Sequence, residues 1–226
     1  MKAIVPTSGL ILILLCGCSS TTAPSRDAIQ FSGFLGDYDQ LETGRENLAV
    51  YSYLKPGLSL AEYTEIIFDD PEILLSDETR QGISNEDLSA VLAFAENSIG
   101  SIEEIVQVTS DPGPRVLRVR WAITDLKPAS KANVVTGLVP QARALSTVLG
   151  KGTGTYLFVG RIGIEAEVID SVTGERLMAA VDTRVGANAI DNVGSTWGDV
   201  EDAFEFWADR FADNLARLGY SGTKPR

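Results

Sequence analysis

Apolar and polar positions alternate most regularly where Ile162, Ile164, Ala166 and Val168 interleave with Arg161, Gly163, Glu165 and Glu167. A period of two places the first set on one face of a strand and the second on the other. After the turn residues Ser171-Val172-Thr173-Gly174, the pattern predicts a second strand with Leu177, Ala179, Val181 and Val185 continuing the inward face. Arg176, Asp182 and Arg184 then fall on the outward one. Shorter β-rich runs are predicted over residues 48–54, ending at Pro56-Gly57, and over 63–68, ending at Asp69-Asp70-Pro71. Residues 104–109 and 116–124 read as two strands joined by Asp111-Pro112-Gly113-Pro114.

Helical spacing appears twice. Ser84 with Asp87 three residues on forms a capping-box-like start, followed by Leu88, Val91, Leu92, Ala95 and Ile99, with Gly100 as the stop. Residues 199–218 place Val200, Ala203, Phe204, Trp207, Phe211, Leu215 and Leu218 on one face. Glu201, Asp202, Glu205, Asp209 and Asp213 occupy the other, so this helix should pack on the sheet and not on a membrane. Strands buried on one side plus two amphipathic helices give an α+β fold: a single layered domain, a mainly antiparallel sheet covered on one face by the two helices.

The N-terminus follows a different logic. Lys2 precedes an apolar segment from Ile4 to Leu15 that is too short to span a bilayer, and Leu15-Cys16-Gly17-Cys18 closes it. This reads as a lipobox with Cys18 as the lipid-attachment residue; Cys16 does not suit, because bulky Leu15 would then occupy the cleavage position. The alternatives are a signal peptide cut elsewhere or a buried apolar helix. The organisation that follows is a signal peptide over residues 1–17, a lipidated Cys18 with a flexible tether over 18–30, one domain over 31–220 and a tail over 221–226. About 12 flexible residues span roughly 20 Å. Cys16 and Cys18 are the only cysteines, so the folded part has neither disulfide nor thiolate metal site. Ser19 and Ser20 after Cys18 point by analogy to the outer membrane. The expected location is the cell envelope, lipid-anchored in the outer membrane and facing the periplasm.

A formal charge of −12 opposes binding to nucleic acid, which requires a basic surface, and opposes adhesion to anionic head groups. The expected partners are therefore the bilayer, through acyl chains, and an envelope protein. The chain contains no histidine, which removes Ser-His catalysis and His-ligated zinc. Glu165, Glu167 and Asp170 form the best carboxylate cluster, Glu165 and Glu167 standing about 7 Å apart on one strand face. That spacing suits a carboxylate pair or an oxygen-ligated cation. The competing reading is a solvated hairpin face with Arg161, Arg176 and Arg184 pairing across strands. Asp69-Asp70 reads as a turn. Gly150-Lys151-Gly152-Thr153 lacks the first glycine of a phosphate loop, and Ser130-Lys131 has nothing to align it as a dyad. No cofactor is indicated.

Ser32-Gly33-Phe34-Leu35-Gly36-Asp37-Tyr38 after a lipoprotein tether resembles the opening of the bacterial lipoprotein family DUF3313. The resemblance continues through Val119-Arg120-Trp121-Ala122-Ile123-Thr124-Asp125, the hairpin beginning Glu165-Ala166-Glu167-Val168, and Trp197-Gly198-Asp199-Val200 before the last helix. It implies a one-domain envelope lipoprotein and carries over no catalytic residues. Three functions follow as expectations: a non-catalytic binding or scaffolding module, a hydrolase built on the carboxylates or a divalent cation, and a carrier of an apolar ligand between sheet and helices. In the last, residues 134–149 would be a lid; otherwise they are a sheet-edge crossover or an interface.

Overall fold

In chain order the elements are β1 (Thr21–Thr22), β2 (Glu42–Thr43), β3 (Tyr51–Leu54), β4 (Glu65–Phe68), β5 (Glu72–Ile73), α1 (Asp77–Gly82), α2 (Asn85–Glu103), β6 (Val116–Lys127), β7 (Arg161–Asp170), β8 (Arg176–Gly186) and α3 (Gly198–Arg217). The computed structural model describes residues 21–22, 29–44, 49–129, 160–186 and 197–224. The lipobox, Ser130-Lys131, residues 134–149 and the Gly150–Thr153 stretch lie outside the described residues.

One sheet runs β2-β3-β8-β7-β6-β4, with β1 added to β8 and β5 to β6. The long strands β6, β7 and β8 pair antiparallel, and β3 pairs antiparallel with β8. Among the described residues, β4 and β5 run parallel to β6. Parallel neighbours need a long crossover, and α2 lies within the connection from β4 to β6.

The helices cover one face. α2 buries Val91, Ala95 and Ile102, and α3 buries Val200, Ala203, Phe204, Ala208 and Leu215. They meet Trp121, Ile123, Leu117, Ile162, Val168 and Met178 of the sheet in two apolar clusters. Ser84 starts α2 as the spacing predicts: its Oγ accepts from the Asp87 N–H at 3.0 Å and donates to the Asp87 carboxylate at 2.6 Å. The same carboxylate accepts the Trp197 indole N–H at 2.8 Å, tying the start of α2 to the start of α3.

Two expectations need correction. Gly100 does not stop α2, which continues to Glu103. Glycine inside a helix costs only about 1 kcal/mol, and continuing the helix buries Ile102 in the core. Residues 104–109 are then no strand of a hairpin with β6. Val106 and Val108 make isolated bridges to Thr223 and Ile66, so β4 stands between Val108 and β6.

The second correction concerns β8. Ile164 lies opposite Asp182 and Glu165 opposite Val181. Residues opposite each other share a face. Asp182 therefore faces the helices, while Ala179 and Val181 face the other way with Leu35. The slip arises from a register shift between Val168 and Ile169, which leaves Leu177 and Met178, though consecutive, in the same helix-side cluster. The other sheet face is covered too: Ile29, Phe34, Tyr38 and Leu41 pack with Leu35 on Ala179 and Val181. Within the range read as a tether, Thr21 and Thr22 pair with Gly186 and Val185.

Close approach at the end of β8 is demanding. Gly160 N–H donates to the Asp199 carboxylate at 2.7 Å, and a Cβ on Gly186 would stand 2.3 Å from the Asp199 Cγ. Gly186→Ala should therefore destabilise by about 1–3 kcal/mol, lowering the midpoint of a thermal melt by roughly 2–10 °C. Gly82→Ala, where an added Cβ meets nothing within 4 Å, should not lower it.

Candidate functional site

Glu165 and Glu167 are not on a solvated face. Glu165 is 0% exposed and Glu167 5%, because residues 31–41 lie over them. Gly33 and Gly36 have φ of +94° and +70°, and the Gly36 N–H closes a turn on the Gly33 carbonyl. Glycine takes these conformations without steric cost. The turn wraps around the Tyr38 hydroxyl, which accepts from the Gly33 N–H at 2.8 Å and the Leu35 N–H at 3.3 Å and donates to Glu165. Glu165 also accepts the Ser32 N–H. Burial, with the adjoining Glu165 carboxylate, pushes the Tyr38 phenol above its ordinary value.

Glu167 is held between two guanidiniums, accepting from Arg120 and Arg176 at 2.8 Å each. Arg176 also donates to the Leu35 and Asp37 carbonyls, and Arg120 stacks over the Phe34 ring. Asp170 is elsewhere, capping the β7–β8 turn by accepting from the Val172 and Thr173 N–H groups and the Thr173 hydroxyl. Its second oxygen accepts from Tyr63. Burial pushes Asp170 up, but these hydrogen bonds prevail and hold it below the ordinary range. Glu165, Glu167 and Asp170 thus satisfy three separate structural demands and do not converge. Arg161 pairs with Asp125 and not with them. Asp69 accepts both contacts of the Arg118 Nε–H, and its carbonyl accepts the Trp121 indole N–H. Among the described residues no group of three His, Cys, Asp or Glu is placed to hold a metal ion.

The other side of the sheet holds a cavity of about 660 Å³ beneath α3. Its floor has a simple origin. Ala166 lies opposite Trp121 on β6 and Ala180 on β8, so two adjacent small side chains sit at the centre of the sheet. Ile164, Val168 and Met178 surround them, α2 contributes Ile99 and Ile102, and α3 contributes Phe204, Trp207 and Phe211. Ser52 and Leu54 of β3 form the far edge, and Arg210, Asn214 and Arg217 line the cavity from α3. The volume lies within the range of small-molecule sites, and the lining is apolar with few polar groups, as such sites are.

Asp182, 1% exposed, is the deepest polar group of the lining. It accepts the Trp207 indole N–H at 2.7 Å and the Val50 N–H at 3.2 Å. Burial pushes its carboxyl above the ordinary range, against the Trp207 N–H and the Arg184 charge. Arg184 stacks 3.9 Å over the Phe206 ring. Sequence reasoning missed Asp182 and Arg184 here, because the bulge reversed their face. The signals for the cavity were present as Ala166 and Ala180, small residues at the centres of two long strands, and as Arg210 and Arg217 one heptad apart in an acidic helix.

The family model described as "Protein of unknown function (DUF3313)" matches residues 30–211. No curated protein matches the chain. Among solved structures, it is similar to the PelC dodecamer from Paraburkholderia phytofirmans, at 11% identity over 75% of this chain and 96% of that one, with a TM-score of 0.38. It is also similar to protein XCC0632 from Xanthomonas campestris, of family model DUF330, at 8% identity over 74% of this chain and 91% of that one, with a TM-score of 0.42.

The raised carboxyl of Asp182 gives a signed pH effect. A group bound to its proton more tightly when folded contributes stability below its unfolded value, about 4 for Asp, and loses it as pH rises through the folded one. The urea midpoint of the unaltered chain, relative to Asp182→Asn, should therefore fall between acid pH and neutrality.

Proposed function

This chain belongs to the DUF3313 family, matched over residues 30–211, and from that premise we propose that it is a non-catalytic binding module of the bacterial envelope, which takes an apolar ligand in the cavity beneath α3. The observation that carries this reading is the 660 Å³ apolar space floored by Ala166 and Ala180. Protein cores ordinarily pack to crystal-like density. This space is open to solvent on one side, so its apolar lining meets water, and an apolar ligand seated there would remove both its own surface and the lining from water.

In this reading the protein is an outer-membrane lipoprotein facing the periplasm, anchored by acyl chains on Cys18, with the ligand or an envelope protein as its partner. Support comes from the apolar Ile4-to-Leu15 run and from Leu15 and Gly17 ahead of Cys18. Among the described residues no helix is long and apolar enough to cross a membrane. The hydrolase alternative is not carried forward, since Glu165 and Glu167 are themselves buried and each is committed to hydrogen-bond or ion-pair partners.

Ala166→Leu tests the cavity. It should abolish the fluorescence of the neutral dye N-phenylnaphthylamine with the protein and raise the thermal midpoint by about 2–4 °C, as cavity filling does. Dye uptake equal to that of the unaltered chain would sink the reading. Cys18→Ser should move the protein from the membrane fraction to the soluble fraction while its melting curve stays unchanged.

A further inference from the structure

We propose that the occupant of this cavity is a fatty acid, its acyl chain over the Ala166–Ala180 floor and its carboxylate at Arg210 and Arg217; the inference rests on the binding reading above. Charge is distributed unevenly around α3. The helix carries Asp199, Glu201, Asp202, Glu205, Asp209 and Asp213, yet none of these lines the cavity, whereas both of its arginines do. Arg210, Asn214 and Arg217 follow the i, i+4, i+7 spacing of one helix face and span about 10 Å along the axis. On a chain of net charge −12 this is a local reversal of sign.

The other charges nearby are accounted for. Asp182 lies against Trp207 and Val50, and Glu167 between Arg120 and Arg176. Asp213 stands 3.8 Å from Arg210, but its side chain is 73% exposed and the pair is a solvent-screened i,i+3 contact. Arg184, itself buried, shares the Phe206 ring with Arg210, at 3.9 and 5.4 Å. Guanidinium groups bind carboxylates with charge-assisted, often bidentate hydrogen bonds.

The apolar floor favours an acyl chain over a peptide as occupant. A peptide brings an N–H and a C=O at each residue and needs partners for them when buried, and the lining offers few. An acyl chain brings none. One chain with one anionic end matches an apolar interior with cations at a single helix edge.

The test uses the Cys18→Ser full-length chain, free of its own acyl groups, loaded with N-phenylnaphthylamine and titrated with laurate, dodecanol or dodecylamine. These share chain length and differ in head charge. Laurate should displace the dye at about tenfold lower concentration than dodecanol, as expected for one charge-assisted contact. Arg210→Gln/Arg217→Gln should narrow that ratio toward one. Equal displacement by laurate and dodecanol, or preference for dodecylamine, would overturn the fatty-acid assignment and leave the cavity reading standing. Failure of the dye to bind would overturn both. Dye binding to Cys18→Ser but not to the lipidated chain would make the protein's own acyl groups the occupant and overturn the assignment.

Discussion

Antiparallel pairing of Ile164 with Asp182 and of Glu165 with Val181 decides what every side chain of the central sheet meets. A slip of one residue would exchange the two faces. Asp182 would then leave the Trp207 indole, Arg184 would leave the Phe206 ring, and Val181 would lose Leu35. The register is fixed at its turn end, where Asp170 gathers three donors, and adjusted by the shift between Val168 and Ile169. Both coverings of the sheet, helical on one side and the Ile29-to-Leu41 segment on the other, depend on that alignment.

The two coverings are built on different physics. Beneath residues 31–41 the Glu165 and Glu167 carboxylates are satisfied by directional bonds. Breaking one partner there would strand a buried charge, the costliest kind of defect. Beneath α3, apart from such bonds as Trp207 to Asp182 and Gly160 to Asp199, the contacts around the cavity are mainly apolar, non-directional and incomplete. One side of the sheet is thus specified tightly while the other keeps adaptable space, and that asymmetry makes the helical side the place where a guest can enter without disturbing the scaffold.

Much of this was legible in the chain. The alternation of β7, the Ser84–Asp87 start of α2 and the apolar face of α3 follow from local spacing, and local spacing survives folding. What escaped has a common cause. The face of β8 depends on a bulge, which is a property of two strands together and leaves no mark in either. The burial of Glu165 and Glu167 depends on a segment more than a hundred residues away. Gly100 obeyed its helix-stopping propensity less than Ile102 obeyed the core. The Ser32-to-Tyr38 run, notable only as a resemblance in the sequence, acquires its physical meaning when Tyr38 is seen to collect two backbone N–H groups and hand its own proton to Glu165.

The pairing of Thr21 and Thr22 with the end of β8 would bear on the attachment proposed at Cys18. With the anchor proposed at Cys18, only residues 19 and 20 would separate it from Thr21, at most about 10 Å of chain when fully drawn out. A link that short acts as a hinge pin and not as a leash. The Gly186 corner would be pressed to the bilayer, and the molecule could pivot about that corner but not tumble. Which end of the molecule lies nearest the bilayer would then be inherited from the covalent chain.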